Sequence, residues 1–186
     1  MQRRALLHLT AACLLVRRRA FADDLTGRLR AGGLVLLMRH ARTEPGTGDP
    51  PGFRHDDCST QRNLDAAGRA QARAIGERLR ALRVPIGRVL SSRWCRCRET
   101  AELLGIGPVE HFPPLDSFFE DRARRDEQRA GMLGFIRGWR GPGNAVLVTH
   151  QVNVTAVADV YPRSGEIVVL TAEAELLGRL PPPTPA

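Results

Sequence analysis

The strongest constraint in this 186-residue sequence is a pair of short apolar runs, each ending in a histidine. Leu34–Met38 (LVLLM) leads into Arg39-His40, and Ala145–Thr149 (AVLVT) leads into His150-Gln151. Runs that are apolar at every position predict strands buried on both faces, as in a parallel sheet covered by helices. Segments of helical pattern alternate with them. Asp65–Leu82 carries Ala67, Ala70, Ile75, Leu79 and Leu82 as a stripe, with Asp65 near its start. Arg88–Ser91 predicts a short strand, and Arg93–Leu104 a helix stopped by Gly105, Gly107 and Pro108. Asp121–Arg140 predicts a further helix stopped by Gly141-Pro142-Gly143, and Val152–Asp159 a short one. Asp23–Arg30 reads as a short polar lead-in, Pro113–Phe119 as a loop, and Gly165–Leu180 as two edge strands. The alternation predicts an α/β domain: a three-layer sandwich with a largely parallel central sheet flanked by helices. Ligands of such sheets bind beyond the carboxyl ends of the strands, where both histidines fall.

Charge sharpens this reading. The formal charge is +8, and all 28 basic residues are arginine. Lysine is absent, which excludes Walker-A, Schiff-base and kinase-type lysine chemistry. Arginine instead favours bidentate recognition of carboxylate or phosphate. Residues 1–22 hold five arginines and no acid, leaving 23 arginines against 20 acids from Asp23 onward. That modest excess argues against a nucleic-acid partner. Residues 1–22 read as a signal peptide: Arg3-Arg4, the apolar run Ala5–Val16, then Ala20-Phe21-Ala22 as a cleavage site. Arg17–Arg19 fit that pattern poorly, and Arg3-Arg4 also resembles a twin-arginine start. The expected organisation is a signal peptide over 1–22, one domain over 23–180 and a disordered tail over 181–186. The expected location is periplasmic or secreted, without stable membrane association after cleavage. Export permits a disulfide, and Cys58 with Cys95 or Cys97 is expected. The C-x-C spacing lacks a second ligand pair for zinc, and no metal is expected.

Four segments carry the chemistry. Leu37-Met38-Arg39-His40-Ala41-Arg42-Thr43 is similar to an L-x-R-H-G-x-T nucleophile motif. Asn63 to Ala72 resembles an L-t-x-x-G-x-x-Q-A segment at a helix start. Ser92 to Ala101 resembles S-P-x-x-R-x-x-x-T-A, and Val146 to His150 resembles V-x-V-T-H-G. Together, and in this order, they resemble the histidine phosphatase superfamily, with its phosphoglycerate mutase-like fold. The resemblance implies a phosphohydrolase that needs no cofactor. His40 is the implied nucleophile, with Arg39, Arg96 and His150 around the phosphate. Ala41 stands where the family has glycine and is expected to keep its amide free; Gln151 replaces the glycine after the second histidine. Gln151 also excludes the His-Asp pair of the phytase branch. The short region before His150 leaves little room for a capping insert, as in the short phosphohistidine phosphatases.

The chemistry agrees with this on its own terms. A neutral imidazole is a competent nucleophile near pH 7, and guanidiniums neutralise equatorial phosphoryl oxygens. Arg96 is expected in a first helical turn, near amide donors. A carboxyl must protonate the leaving oxygen. Asp116 is the first candidate, Glu120 the second, and Asp56-Asp57 a third or a cation site. Arg42, beside the nucleophile, either holds a second anionic group or pairs with a surface acid. Thr43 and Gln151 are further substrate-binding candidates. The expected partner is a small phosphorylated substrate, with the oligomeric state open. The expected function is a phosphomonoesterase, with an envelope sugar phosphate as one substrate. The alternatives are a protein phosphohistidine phosphatase and a non-catalytic phosphate-binding module.

Overall fold

The computed structural model describes residues 24–183; the proposed signal peptide and residues 184–186 lie outside them. Residues 24–31 form helix α1, followed by β1 (Val35–Arg39), α2 (Ala66–Ala81) and β2 (Ile86–Ser91). Next come α3 (Cys95–Leu104), β3 (Val109–His111), α4 (Arg125–Gly138) and β4 (Asn144–Thr149). The fold closes with α5 (Gln151–Ala158), β5 (Ile167–Leu170) and β6 (Leu176–Leu180). The strands make one sheet in the order β3-β2-β4-β1-β5-β6. The first four of these are mutually parallel, and β5 and β6 are antiparallel.

The fully apolar runs are explained by two cores. Leu36, Met38, Val146 and Val148 face α1, α2 and α3. Val35, Leu37, Ala145 and Leu147 face α4 and α5. Each strand therefore feeds both layers, and the expected three-layer α/β sandwich is the observed fold. Asp65 caps α2, accepting from the Gly68 N–H at 2.6 Å; such a cap typically contributes about 1 kcal/mol. Gly105 ends α3 in the left-handed conformation (φ +59°).

Some expectations change. The polar lead-in is the helix α1, which buries Leu25 and Leu29, one turn apart, against the sheet. β5 is interior, paired with both β1 and β6; β6 alone of that pair is an edge. The other edge, β3, has three residues, too few for a periodicity signal. In the tail, the Pro181 carbonyl accepts from Arg78 at 2.8 Å.

Two features aim the site. The sheet order places the carboxyl ends of β2, β4 and β1 side by side, so Ser92, His150 and His40 become neighbours. The His40 N–H donates to Thr149 O (2.9 Å), and the Ser92 N–H to Val148 O (3.1 Å). The long loop after β1 closes on itself through a Thr43–Leu64 bridge. Cys58 and Cys95 form a disulfide that ties this loop to the start of α3, which settles the open pairing; Cys97 is free and buried. Gly68 lets α2 approach the backbone just after His40, since a Cβ there would lie 1.8 Å from Arg42 O.

Candidate active site

A cavity of about 200 Å³ opens at these strand ends. Arg39, His40, Arg62, Trp94, Arg96 and His150 line its floor and walls, with Asp49, Phe119, Glu120, Gln151 and Tyr161 among the others. His40 follows β1 and is 3% exposed. Its Nδ1 lies 2.8 Å from Ala41 O. A carbonyl only accepts, so Nδ1 carries the proton and Nε2 keeps its lone pair. Burial, then the charge of Arg96, holds this ring well below the ordinary imidazole pKa, so it is neutral at pH 7.

The guanidiniums come from three places. Arg39, at the end of β1, donates through Nη1 to Pro162 O at 3.0 Å. Arg96 sits in the first turn of α3, as expected, and is 4% exposed. Arg62 returns from the long loop, donating through Nε to Gly48 O and through Nη1 to Thr43 Oγ1. The Nε donors of Arg39 and Arg96 are buried and meet no acceptor among the described residues. Buried donors of this kind are costly unless something accepts from them. Asp49 holds the other edge of Arg96, with contacts of 2.7 and 3.1 Å.

His150 follows β4 and starts α5. Its ring centroid is 5.6 Å from that of His40 and 5.1 Å from that of Trp94. Nε2 turns inward, 2.9 Å from Ser92 Oγ and 3.4 Å from Cys97 Sγ. Burial and Arg96 also depress this ring's pKa. Burial pushes the Cys97 thiol up to about 12, so at neutral pH it is a protonated, inert neighbour.

Residues 35–117 match the family model of the histidine phosphatase superfamily, branch 1. Over that segment the chain is similar to the histidine phosphatase superfamily. No curated protein matches it in sequence. Its fold is similar to that of a putative phosphohistidine phosphatase SixA from Agrobacterium tumefaciens. That match has 21% identity over 81% of this chain and 99% of the other, with a TM-score of 0.56. Phosphoglycerate mutase from Thermus thermophilus gives 23% identity, 79% and 98% coverage and a TM-score of 0.54. A mycobacterial glucosyl-3-phosphoglycerate phosphatase gives 17%, 75%, 90% and 0.55. At these identities the likeness establishes the phosphoglycerate mutase-like fold.

The remaining expected residues divide within this histidine phosphatase fold. Gln151 lines the cavity, and its Nε2 donates to Thr155 Oγ1. Asp116 does not line it. It is 1% exposed, accepting from Arg93 N (2.8 Å), Arg93 Nε (2.6 Å), His111 Nε2 (3.2 Å) and Ser92 Oγ (3.3 Å). A carboxylate so engaged is an ion-pair partner rather than a free acid, and through Ser92 it braces His150. Glu120, the second candidate, lines the cavity and is exposed. Asp56 and Asp57 face Arg54, away from the cavity lining. Arg42 also points elsewhere, pairing with Asp65 at 2.6 Å on the surface. Thr43 reaches the site only through Arg62. The Ala41 amide is not free, because it donates to Thr100 Oγ1 at 3.0 Å. Arg62, Asp49 and Trp94 are additions to the expected site. Trp94 lies within the Ser92 to Ala101 segment, a signal that could have found it, while nothing marked the other two.

Proposed function

We propose that the protein is a phosphomonoester hydrolase working through a phosphohistidine on His40. One observation carries the reading: a buried, neutral His40 with Nε2 unprotonated lines the same cavity as two guanidiniums whose Nε donors lack partners. In this mechanism Arg39, Arg96 and Arg62 hold the equatorial phosphoryl oxygens, with His150 as a further donor once the bound dianion draws a second proton onto its ring. Nε2 attacks phosphorus, the P–O ester bond breaks, and Glu120 gives its proton to the departing oxygen. Water then attacks phosphorus as the P–N bond to His40 breaks, its proton passes to Glu120, and phosphate leaves. No step requires a metal.

The substrate is a small phosphate ester, and a cell-envelope sugar phosphate if the protein is periplasmic or secreted. The Cys58–Cys95 disulfide supports export, since such bonds persist in oxidising compartments. His40→Ala should abolish phosphate release from p-nitrophenyl phosphate in EDTA. Undiminished turnover by that variant sinks the mechanism, and loss of wild-type turnover in EDTA sinks its metal independence.

The likeness to SixA structures favours a second reading, a protein phosphohistidine phosphatase acting in the cytoplasm. Mass spectrometry of the mature N-terminus separates the two: an intact Met1 favours the cytoplasmic reading.

A further inference from the structure

Asp49 is a carboxylate built into the cavity, with its side chain 3% exposed. Four donors converge on it. Arg96 Nη1 (2.7 Å) and the Arg62 N–H (2.9 Å) reach Oδ1; Arg96 Nη2 (3.1 Å) and Trp94 Nε1 (3.0 Å) reach Oδ2. Burial alone would raise its pKa, but these donors, led by Arg96, outweigh burial and keep the carboxyl below its usual range. Asp49 is therefore an anion at neutral pH.

This ion pair uses only one edge of Arg96. A guanidinium has five N–H donors, and the edge formed by Nε and the second hydrogen of Nη2 stays available. The Nε on that edge is the buried donor without a partner. A phosphoryl group can bind there while Asp49 keeps its place, so Asp49 is a fixed charge during turnover rather than a plug.

A second carboxylate lines the same cavity. Glu120 Oε1 lies 3.8 Å from where a Cβ on Gly48, the neighbour of Asp49, would stand. The lining cations are Arg39, Arg62 and Arg96, all assigned above to the phosphoryl group. Arg42 is held outside by Asp65, and Arg122 lies over the Phe119 ring, beyond the lining residues. With Glu120 protonated for its acid role, three guanidiniums facing the Asp49 carboxylate and a phosphoryl dianion leave no positive charge for a second anion. The rest of the wall includes Thr47, Ser117, Gln151 and Tyr161, uncharged groups that hydrogen-bond hydroxyls.

We propose that Asp49 is a specificity-determining residue. It holds Arg96 by one edge, and its charge restricts the site to phosphomonoesters whose leaving group is uncharged or cationic. Sugar phosphates and amino-alcohol phosphates fit; carboxylated and doubly phosphorylated esters do not. The proposal rests on the phosphomonoesterase reading above.

The test compares kcat/KM for glucose 6-phosphate, phosphoethanolamine and 3-phosphoglycerate, using the full chain and its Asp49→Asn and Asp49→Glu variants. The wild type should disfavour 3-phosphoglycerate by about tenfold or more, the scale of one unit charge about 10–12 Å away at an effective dielectric constant near 20. Asp49→Asn should narrow that ratio by about tenfold, while Asp49→Glu, which keeps the charge, should preserve it even where overall turnover falls. A wild-type ratio near one overturns the proposal whether or not the variants fold. An equal gain on all three esters in Asp49→Asn also overturns it, by making Asp49 a plug. Turnover without charge discrimination removes this inference alone, whereas no turnover of any phosphomonoester removes the phosphatase reading and this proposal with it.

Discussion

Mild acid should destabilise this protein before its carboxylates begin to protonate, because of the buried pair His40 and His150. Both rings are nearly inaccessible, and both face Arg96, Arg39 and Arg62. Burial first, then these charges, depresses their folded pKa values. In the unfolded chain each ring binds its proton near pH 6.5. Below that pH the unfolded state holds more protons than the native state, so unfolding becomes easier as pH falls. The stabilising contribution is fully present above about pH 6.5 and declines below it, by about 1.4 kcal/mol per pH unit for each ring. The two together should cost about 2–3 kcal/mol between pH 7.5 and 5.5. Asp49, Asp65 and Glu166 also have depressed values, which act in the same direction but over a lower range: their stabilisation is present above about pH 4 and fades below it. The interval from about pH 4.5 to 6.5 therefore isolates the histidines. Half-exposed His55, lowered by partial burial and then by Arg93, adds little. The assay is urea unfolding followed by circular dichroism at pH 7.5, 6.5 and 5.5. Phosphate must be kept out of the buffer, since a bound anion would raise both pKa values. His40→Asn and His150→Asn should each remove about half of the slope. A stability that stays flat to pH 5.5, or a slope indifferent to both substitutions, refutes the burial argument.

Two other outcomes follow from the geometry. Cys58→Ser opens a cross-link with a sequence separation of 37, worth about 4 kcal/mol of chain entropy. In a domain of this size that lowers the melting temperature on the order of 10 °C; identical melting curves with and without reductant would exclude the linkage. Glu120→Gln should cut turnover of alkyl phosphates by about 10²–10⁴-fold, yet spare the initial burst of p-nitrophenol release from p-nitrophenyl phosphate, whose leaving group needs no proton. Asp116→Asn should lower both substrates alike, and a leaving-group dependence in that variant instead would return the acid role to Asp116.

The sheet was legible because its central strands are buried on both faces. That condition leaves an unbroken apolar run, and Leu34–Met38 and Ala145–Thr149 each lie within one residue of β1 and β4. The histidines were legible for the same reason: a strand end is a fixed address in an α/β sheet, and β4 lies beside β1. α1 was illegible because two leucines in a short polar segment carry little periodicity, and its burial comes from the sheet rather than from its own pattern. The disulfide partner was open between Cys95 and Cys97 because choosing it requires knowing which face of α3 meets the loop. Cys97 turns to His150 and the core, leaving Cys95 toward Cys58.

Asp116 shows where reasoning from chain position alone misplaces a side chain. Asp116 stands in the expected loop, but the adjacent β2 and β3 ends supply Arg93 and His111, and a buried carboxylate takes the nearest cation. Asp49 and Arg62 fail in the other direction. They lie 47 and 34 positions from Arg96, in a Gly- and Pro-rich segment whose composition predicts only a loop. They reach Arg96 because the loop closes at Thr43–Leu64 and is clamped at Cys58–Cys95. The two cavity histidines are thus set by the sheet, while the charge around them is set by a strapped loop. On the proposed function, substitutions in that loop change which ester enters the cavity and leave the strand-borne histidines where they are, and the Asp49 comparison measures that separation directly.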